Sequence, residues 1–152
     1  MQIGDHFPDF TLPRDREGSM SLADFKDQKL VLFLYPKDDT SGCTLESIEF
    51  TASAADFATA NAVVIGMSKD STTSHDKFIK KHNLGMPLLS DETGELLEKL
   101  GCWVEKNMYG RTYMGIERTT FLIDEAGIIR QIWNKVKVKG HVDAVLEAVK
   151  AL

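Results

Sequence analysis

Within the 152 residues, the side chains best placed to do chemistry lie in the stretch Tyr35-Pro36-Lys37-Asp38-Asp39-Thr40-Ser41-Gly42-Cys43-Thr44. It leaves a continuous apolar run, Leu30 to Tyr35, and enters a segment of helical spacing, so Cys43 is expected in the first turn of a helix. Backbone N–H groups without intrahelical partners and the positive end of the helix dipole stabilise an anion there, which favours a thiolate over a thiol. Thr40, three residues earlier, can turn its hydroxyl toward the same point, and Pro36 offers an apolar wall with no N–H, so the three can make a small dry pocket. Read locally, the stretch also fits an ordinary strand-to-helix loop in which Thr40 or Ser41 caps the helix and Cys43 is a packed small side chain.

The pattern P-x-x-x-T-x-x-C after a hydrophobic strand, carried by Pro36, Thr40 and Cys43, resembles the active-site motif of the peroxiredoxins. Further along, GIERTTFLID from Gly115 to Asp124 is similar to the family segment that holds an active-site arginine, here Arg118. The similarity runs over nearly the whole chain, from IGDHFPDFTL through VVIGMSKDS to the helix after KVKVKGH, and looks nearest to the peroxiredoxin Q branch, the bacterioferritin comigratory proteins. It implies a thioredoxin-like fold with an N-terminal extension and a thiol-dependent peroxidase acting on hydrogen peroxide and organic hydroperoxides. Cys43 would be the nucleophile that becomes a sulfenic acid, with Arg118, Thr40 and Pro36 around it and no metal or organic cofactor. Glu46, one turn beyond Cys43, can hold the Arg118 guanidinium in orientation, or can simply be a favourable charge in a first helical turn.

Thiolate formation is not enough for such chemistry. A cysteine with a pKa of about 8.5 is about 3% ionised at pH 7, and one with a pKa of about 6 is about 90% ionised. That thirtyfold gain corresponds to roughly 2 kcal/mol, well short of the roughly 8 kcal/mol at the low end of enzymatic accelerations. The remainder must come from donors aimed at the departing oxygen, for which Arg118, the Thr40 hydroxyl and backbone N–H groups near Cys43 are the candidates. Recycling is the point of departure from the branch, because the position five residues after the first cysteine, where many members carry a second, is Ile48. Cys102 is the one other thiol, a candidate resolving cysteine whose apolar neighbour Trp103 equally suits a packed core position. If Cys102 does not resolve Cys43, an external thiol such as glutathione, glutaredoxin or thioredoxin must reduce it.

The elements that would position these residues read as α/β, with a central mixed sheet flanked by helices in one domain over residues 1–152. Leu30–Tyr35 and Ala62–Met67 have the continuous apolar character of buried parallel strands, joined by helical spacing over Thr44 to Ala60. A second helix is expected in SKDSTTSHDKFIKKHNLG, stopping at Gly85, then a brief strand at Pro87 to Leu89 and a helix in DETGELLEKLG. Thr119–Ile123 and Ile128–Trp133 read as a hairpin joined at Glu125-Ala126-Gly127, and His141 to Leu152 as a helix packed on the sheet.

Composition narrows the alternatives. A net charge of −5 gives no basic field for nucleic acid or an anionic membrane, and no long apolar run or leader pattern appears, so a cytoplasmic protein is expected. His6, His75, His82 and His141 are dispersed, without the spacing of a metal pair. Asp38-Asp39 and Asp91-Glu92 read as turn or helix-start residues, Phe33 and Tyr35 as core, and Lys135, Lys137 and Lys139 alternating with Val136 and Val138 as a solvated edge. A monomer is expected, with Trp103, Met108, Tyr109, Tyr113 and Met114 as a dimer surface in the alternative. Two other functions stay open: a disulfide oxidoreductase, which lacks its usual CxxC, and a binding or holdase module that has lost the chemistry.

Overall fold

The computed structural model describes all 152 residues. Five strands, β3 (Lys29–Leu34), β4 (Ala62–Ser68), β5 (Leu88–Ser90), β8 (Thr119–Ile123) and β9 (Ile129–Trp133), form one sheet in the order β5-β4-β3-β8-β9. β3, β4 and β5 run parallel, while β8 is antiparallel to β3 and β9 antiparallel to β8. Alternation along β3 divides the core into two layers: Val31, Phe33 and Tyr35 face one side, Leu30, Leu32 and Leu34 the other. The first layer is covered by α1 (Ser41–Ala52), α2 (Ala54–Thr59), α3 (Thr72–His82) and α5 (His141–Lys150). The N-terminal segment, with its β1 (Thr11–Pro13) and β2 (Ser19–Ser21) hairpin, and α4 (Glu95–Lys99) cover the second. Both parallel crossovers step the same way along the sheet, so the usual right-handed connection sends α1 and α3 to the same face.

Several local expectations are corrected. The helical run expected over Thr44–Ala60 starts at Ser41 and breaks at Ser53, where φ is −99° and ψ is 4°. The Thr51 hydroxyl donates to the Ser47 carbonyl at 2.8 Å, a back-bond of the kind that bends helices. α3 ends at Asn83, which takes the left-handed conformation itself, rather than at Gly85. Lys135 to Lys139 form a loop, not a strand edge, although the lysines are exposed and the valines half-buried as their alternation suggests. A whole hairpin, β6 (Trp103–Met108) with β7 (Arg111–Ile116), was not anticipated. It turns through Tyr109 and Gly110, both at positive φ, as a two-residue turn matched to strand twist requires. No helix is long and apolar enough to cross a membrane.

Candidate active site

Sheet register brings the distant halves of the site together. β8 pairs antiparallel with β3 so that Thr119 lies opposite Leu34. The residue just before β8, Arg118, is therefore beside the point where the chain leaves β3 for the Tyr35–Thr40 loop. In that loop Asp39 has a φ of +60°, and Thr40, extended at φ −93° and ψ 155°, is the N-cap of α1. The first bond of the α1 ladder runs from the Thr44 N–H to the Thr40 carbonyl at 2.8 Å, which leaves the N–H groups of Ser41, Gly42 and Cys43 ahead of it. Cys43 is a free thiol, 1% exposed.

Arg118 donates from Nη2 to Cys43 Sγ at 3.2 Å and from Nη1 to Glu46 Oε1 at 2.6 Å. One planar guanidinium thus spans the thiol and a fully buried carboxylate, the second 72 residues away in sequence. Gly42 makes room for it: a Cβ there would lie 3.2 Å from Nη2. Burial opposes the Arg118 charge, but the Glu46 carboxylate and Cys43 outweigh it and raise the Arg118 pKa. Glu46 behaves differently, since burial pushes its carboxyl up to about 7 against the pull of Arg118. Its Oε2 has no hydrogen-bond partner, and His141 Nε2 stands 4.0 Å away. Burial, then the Arg118 charge, lowers the His141 pKa to about 4, so the ring is neutral near pH 7 and shares a 2.8 Å hydrogen bond with the Thr120 hydroxyl.

Cys43, Arg118 and Glu46 are brought together; the other candidates are not placed as read from the sequence. Thr40 is exposed and donates its hydroxyl proton to the Lys37 carbonyl at 2.8 Å, so that proton is not available to the thiol or a departing oxygen. Pro36 is also exposed rather than walling a dry pocket. Cys102 is 2% exposed in the layer with Leu97 and Ile116, on the opposite face of the sheet from Cys43. Burial raises its pKa, which suits a packed thiol.

Sequence reasoning missed four contributors. Gly42 and His141 are described above. Lys106 of β6 shares the field of the site: burial first and the Arg118 charge next lower its pKa, while Cys43 raises it. The Tyr109-Gly110 pair between two short runs rich in Trp, Val, Thr and Tyr was the available signal for the hairpin that carries it. Asp38, read as a turn residue, is 7% exposed and accepts hydrogen bonds from Tyr35, Ser74 and His75, the last of them 37 residues further along the chain.

A thiol at a helix N-terminus, faced by an arginine braced on a buried carboxylate, thus sits at the end of the central strand of a mixed sheet, and the solved structures that superpose on the chain are peroxiredoxins of thioredoxin-like fold. Residues 3–132 match the AhpC/TSA family, and the chain belongs to it as a peroxiredoxin. It is 45% identical over 150 residues to peroxiredoxin Bcp of Bacillus subtilis, covering 99% of this chain and 96% of that one. A cysteine-to-serine variant of PrxQ from Xylella fastidiosa superposes with a TM-score of 0.94 at 39% identity, over 99% of this chain and 96% of the other. A bacterioferritin comigratory protein from Xanthomonas campestris, in a structure study of its alkyl peroxide reduction activity, gives a TM-score of 0.89 at 42% identity, over 93% and 90% of the two chains.

Proposed function

We propose that this peroxiredoxin reduces hydroperoxides with Cys43 as nucleophile and returns to its starting state through an external thiol. The observation that carries the reading is the Arg118 guanidinium, 3.2 Å from Cys43 Sγ and braced on Glu46 at 2.6 Å. The Cys43 thiolate attacks the terminal oxygen of R–O–OH. An S–O bond forms as the O–O bond breaks, sulfur gives up two electrons, and the departing RO⁻ takes a proton to leave as ROH, or as water when R is hydrogen. Charge growing on that oxygen meets the guanidinium and the free N–H groups of Ser41, Gly42 and Cys43. Thr40, its own proton committed to Lys37, presents lone pairs and serves as an acceptor for the hydroperoxide O–H. Pro36, two residues past the end of β3, starts the loop that holds Thr40.

Recycling needs two outside thiols. The first condenses with the Cys43 sulfenic acid, releasing water and leaving a mixed disulfide, which the second cleaves to restore Cys43. Glutathione or a protein of the thioredoxin or glutaredoxin class supplies them. Ile48 at the usual resolving position and the placement of Cys102 across the sheet support this one-cysteine cycle. The activity of the Xanthomonas relative toward alkyl peroxides supports organic hydroperoxides among the substrates.

The test is peroxide consumption by reduced protein, with intact mass read after one equivalent of hydrogen peroxide. Cys43→Ser is expected to abolish the reaction, and Arg118→Ala to slow it by about 10²- to 10³-fold, the cost of removing one oxyanion donor. Unchanged turnover in either variant would refute the mechanism. A gain of about 16 Da that persists in Cys102→Ser supports the one-cysteine cycle, whereas a loss of about 2 Da that requires Cys102 refutes it.

A further inference from the structure

The active-site loop is tied to α3 by a buried polar network that the peroxidase chemistry above does not use. Asp38 Oδ1 accepts from the Tyr35 hydroxyl at 2.6 Å, and Oδ2 accepts from the Ser74 hydroxyl at 2.8 Å. His75 Nδ1 stands 2.7 Å from the same Oδ2, and His75 Nε2 stands 2.9 Å from the Leu89 carbonyl oxygen. The loop backbone is caught as well, since the Asp38 N–H donates to Asp70 Oδ2 at 2.8 Å, an oxygen that also accepts from the Ser68 hydroxyl at 2.7 Å. Next along, the exposed Asp39 carboxylate meets Lys81 Nζ at 2.7 Å and His82 Nε2 at 2.8 Å, both in the last turn of α3.

The hydrogen bonds around His75 require a proton between its ring and Asp38. A carbonyl oxygen only accepts, so Nε2 of His75 must carry a hydrogen. Nδ1 faces a carboxylate oxygen at hydrogen-bond distance, so one proton must also lie between those two atoms. His75 is fully buried with both ring nitrogens facing oxygen, and because Asp38 also accepts from Tyr35 and Ser74 we assign that proton to the ring, as an imidazolium beside a carboxylate. Without that proton, two sets of lone pairs would confront each other at 2.7 Å.

We propose that His75 is a positioning residue of the peroxidase site, an imidazolium clamp that holds the Pro36–Thr40 loop through Asp38 and lets it go at alkaline pH. The route to the chemistry is short. Asp38 adjoins Lys37, whose carbonyl takes the Thr40 hydroxyl proton, and Thr40 is the N-cap from which α1 presents Cys43. Releasing Asp38 frees the peptide that orients Thr40 and loosens the helix start beneath the thiol.

The sign of the pH dependence follows from everything packed on the ring. Burial acts against the imidazolium. The Asp38 hydrogen bond and charge, the Leu89 carbonyl and the Asp70 charge outweigh it, so the net shift of the His75 pKa is upward. The Tyr35 hydroxyl, pushed well above the ordinary tyrosine range by burial and then by Asp38, stays a donor throughout. A raised pKa means the clamp is fully formed below the ordinary histidine value of about 6.5 and is lost as pH rises through the higher folded value.

The inference rests on the peroxidase reading, and one set of measurements separates the two. Stopped-flow loss of hydrogen peroxide on mixing with reduced protein, without added thiol, is followed from about pH 6 to about pH 10, and nitrogen-15 NMR reads the His75 ring in the same range. The expected result is an imidazolium at neutral pH, and a single-turnover rate constant that falls at least about tenfold over the pH range in which the ring loses its proton. Asp38→Asn and His75→Gln are expected to react at least about tenfold more slowly at neutral pH and to lack the alkaline fall. A neutral His75 ring at pH 6, or a wild-type rate constant that stays level while the ring titrates, would overturn the clamp and leave the peroxidase standing. Protein that does not consume peroxide at any pH would overturn both.

Discussion

Arg118 does two things with one planar group, and Gly42 is the residue that permits it. Because a methyl group at position 42 would come within 3.2 Å of Nη2, Gly42→Ala should push the guanidinium off the sulfur by a few tenths of an ångström. Position 42 lies in the first turn of α1, where alanine is favoured over glycine by up to about 1 kcal/mol, the helix-interior value. The substitution is therefore expected to leave denaturant stability unchanged or higher while lowering the peroxide rate constant by about tenfold. Equal losses of stability and activity would contradict this. At this scale the sequence was informative where chemistry is local and blind where it is not. Cys43 and Arg118 were legible because each sits in its own short motif. Asp38 and His75 were not, since nothing in either segment indicates that a turn aspartate and a helix histidine share a proton.

Elements were legible in proportion to how strongly their own periodicity shows through. β3 and β4 are continuous apolar runs buried on both faces, and α5 places Val142, Val145, Leu146 and Val149 on one buried stripe. The β6–β7 hairpin was missed because its strands are largely exposed and carry polar and apolar residues on the same solvated surface. Its turn predicts a simple improvement. Tyr109 is 98% exposed at a φ of +53°, followed by Gly110 at +78°, and asparagine tolerates that conformation better than tyrosine. Tyr109→Asn should raise stability by a few tenths of a kcal/mol, up to about 1 kcal/mol, in chemical denaturation. A loss of stability would show instead that the exposed ring makes a contact worth more than the turn strain.

Across the molecule, the buried charge beside the thiol leaves a thermodynamic trace. Glu46 titrates at about 7 when folded, against an ordinary carboxyl value of 4.5, so the native state binds more protons than the unfolded chain between those limits. Its contribution is fully present below the lower value and is lost as pH rises through the higher one. His141, lowered from 6.5 to about 4, has the opposite slope, stabilising above 6.5 and losing that contribution as pH falls through its folded value. The two slopes oppose each other where their ranges overlap. Glu46→Gln removes one of them, so relative to wild type it is expected to lose up to about 3 kcal/mol as pH falls from about 7 to about 4.5. Urea midpoints measured across that range check it, and parallel curves for the two proteins would contradict it.

The antiparallel placement of β8 against β3 also sets an order in time. The donor to the sulfur lies 75 residues further along the chain than the sulfur itself. A polypeptide growing from its N-terminus therefore presents Cys43 on α1 well before Arg118 has been synthesised. Loop-closure entropy must be overcome before so distant a strand pairing forms, so this step comes late in folding. Until β8 docks, the nascent chain carries a cysteine with no guanidinium beside it, and under the proposed mechanism full reactivity toward peroxide waits for that pairing.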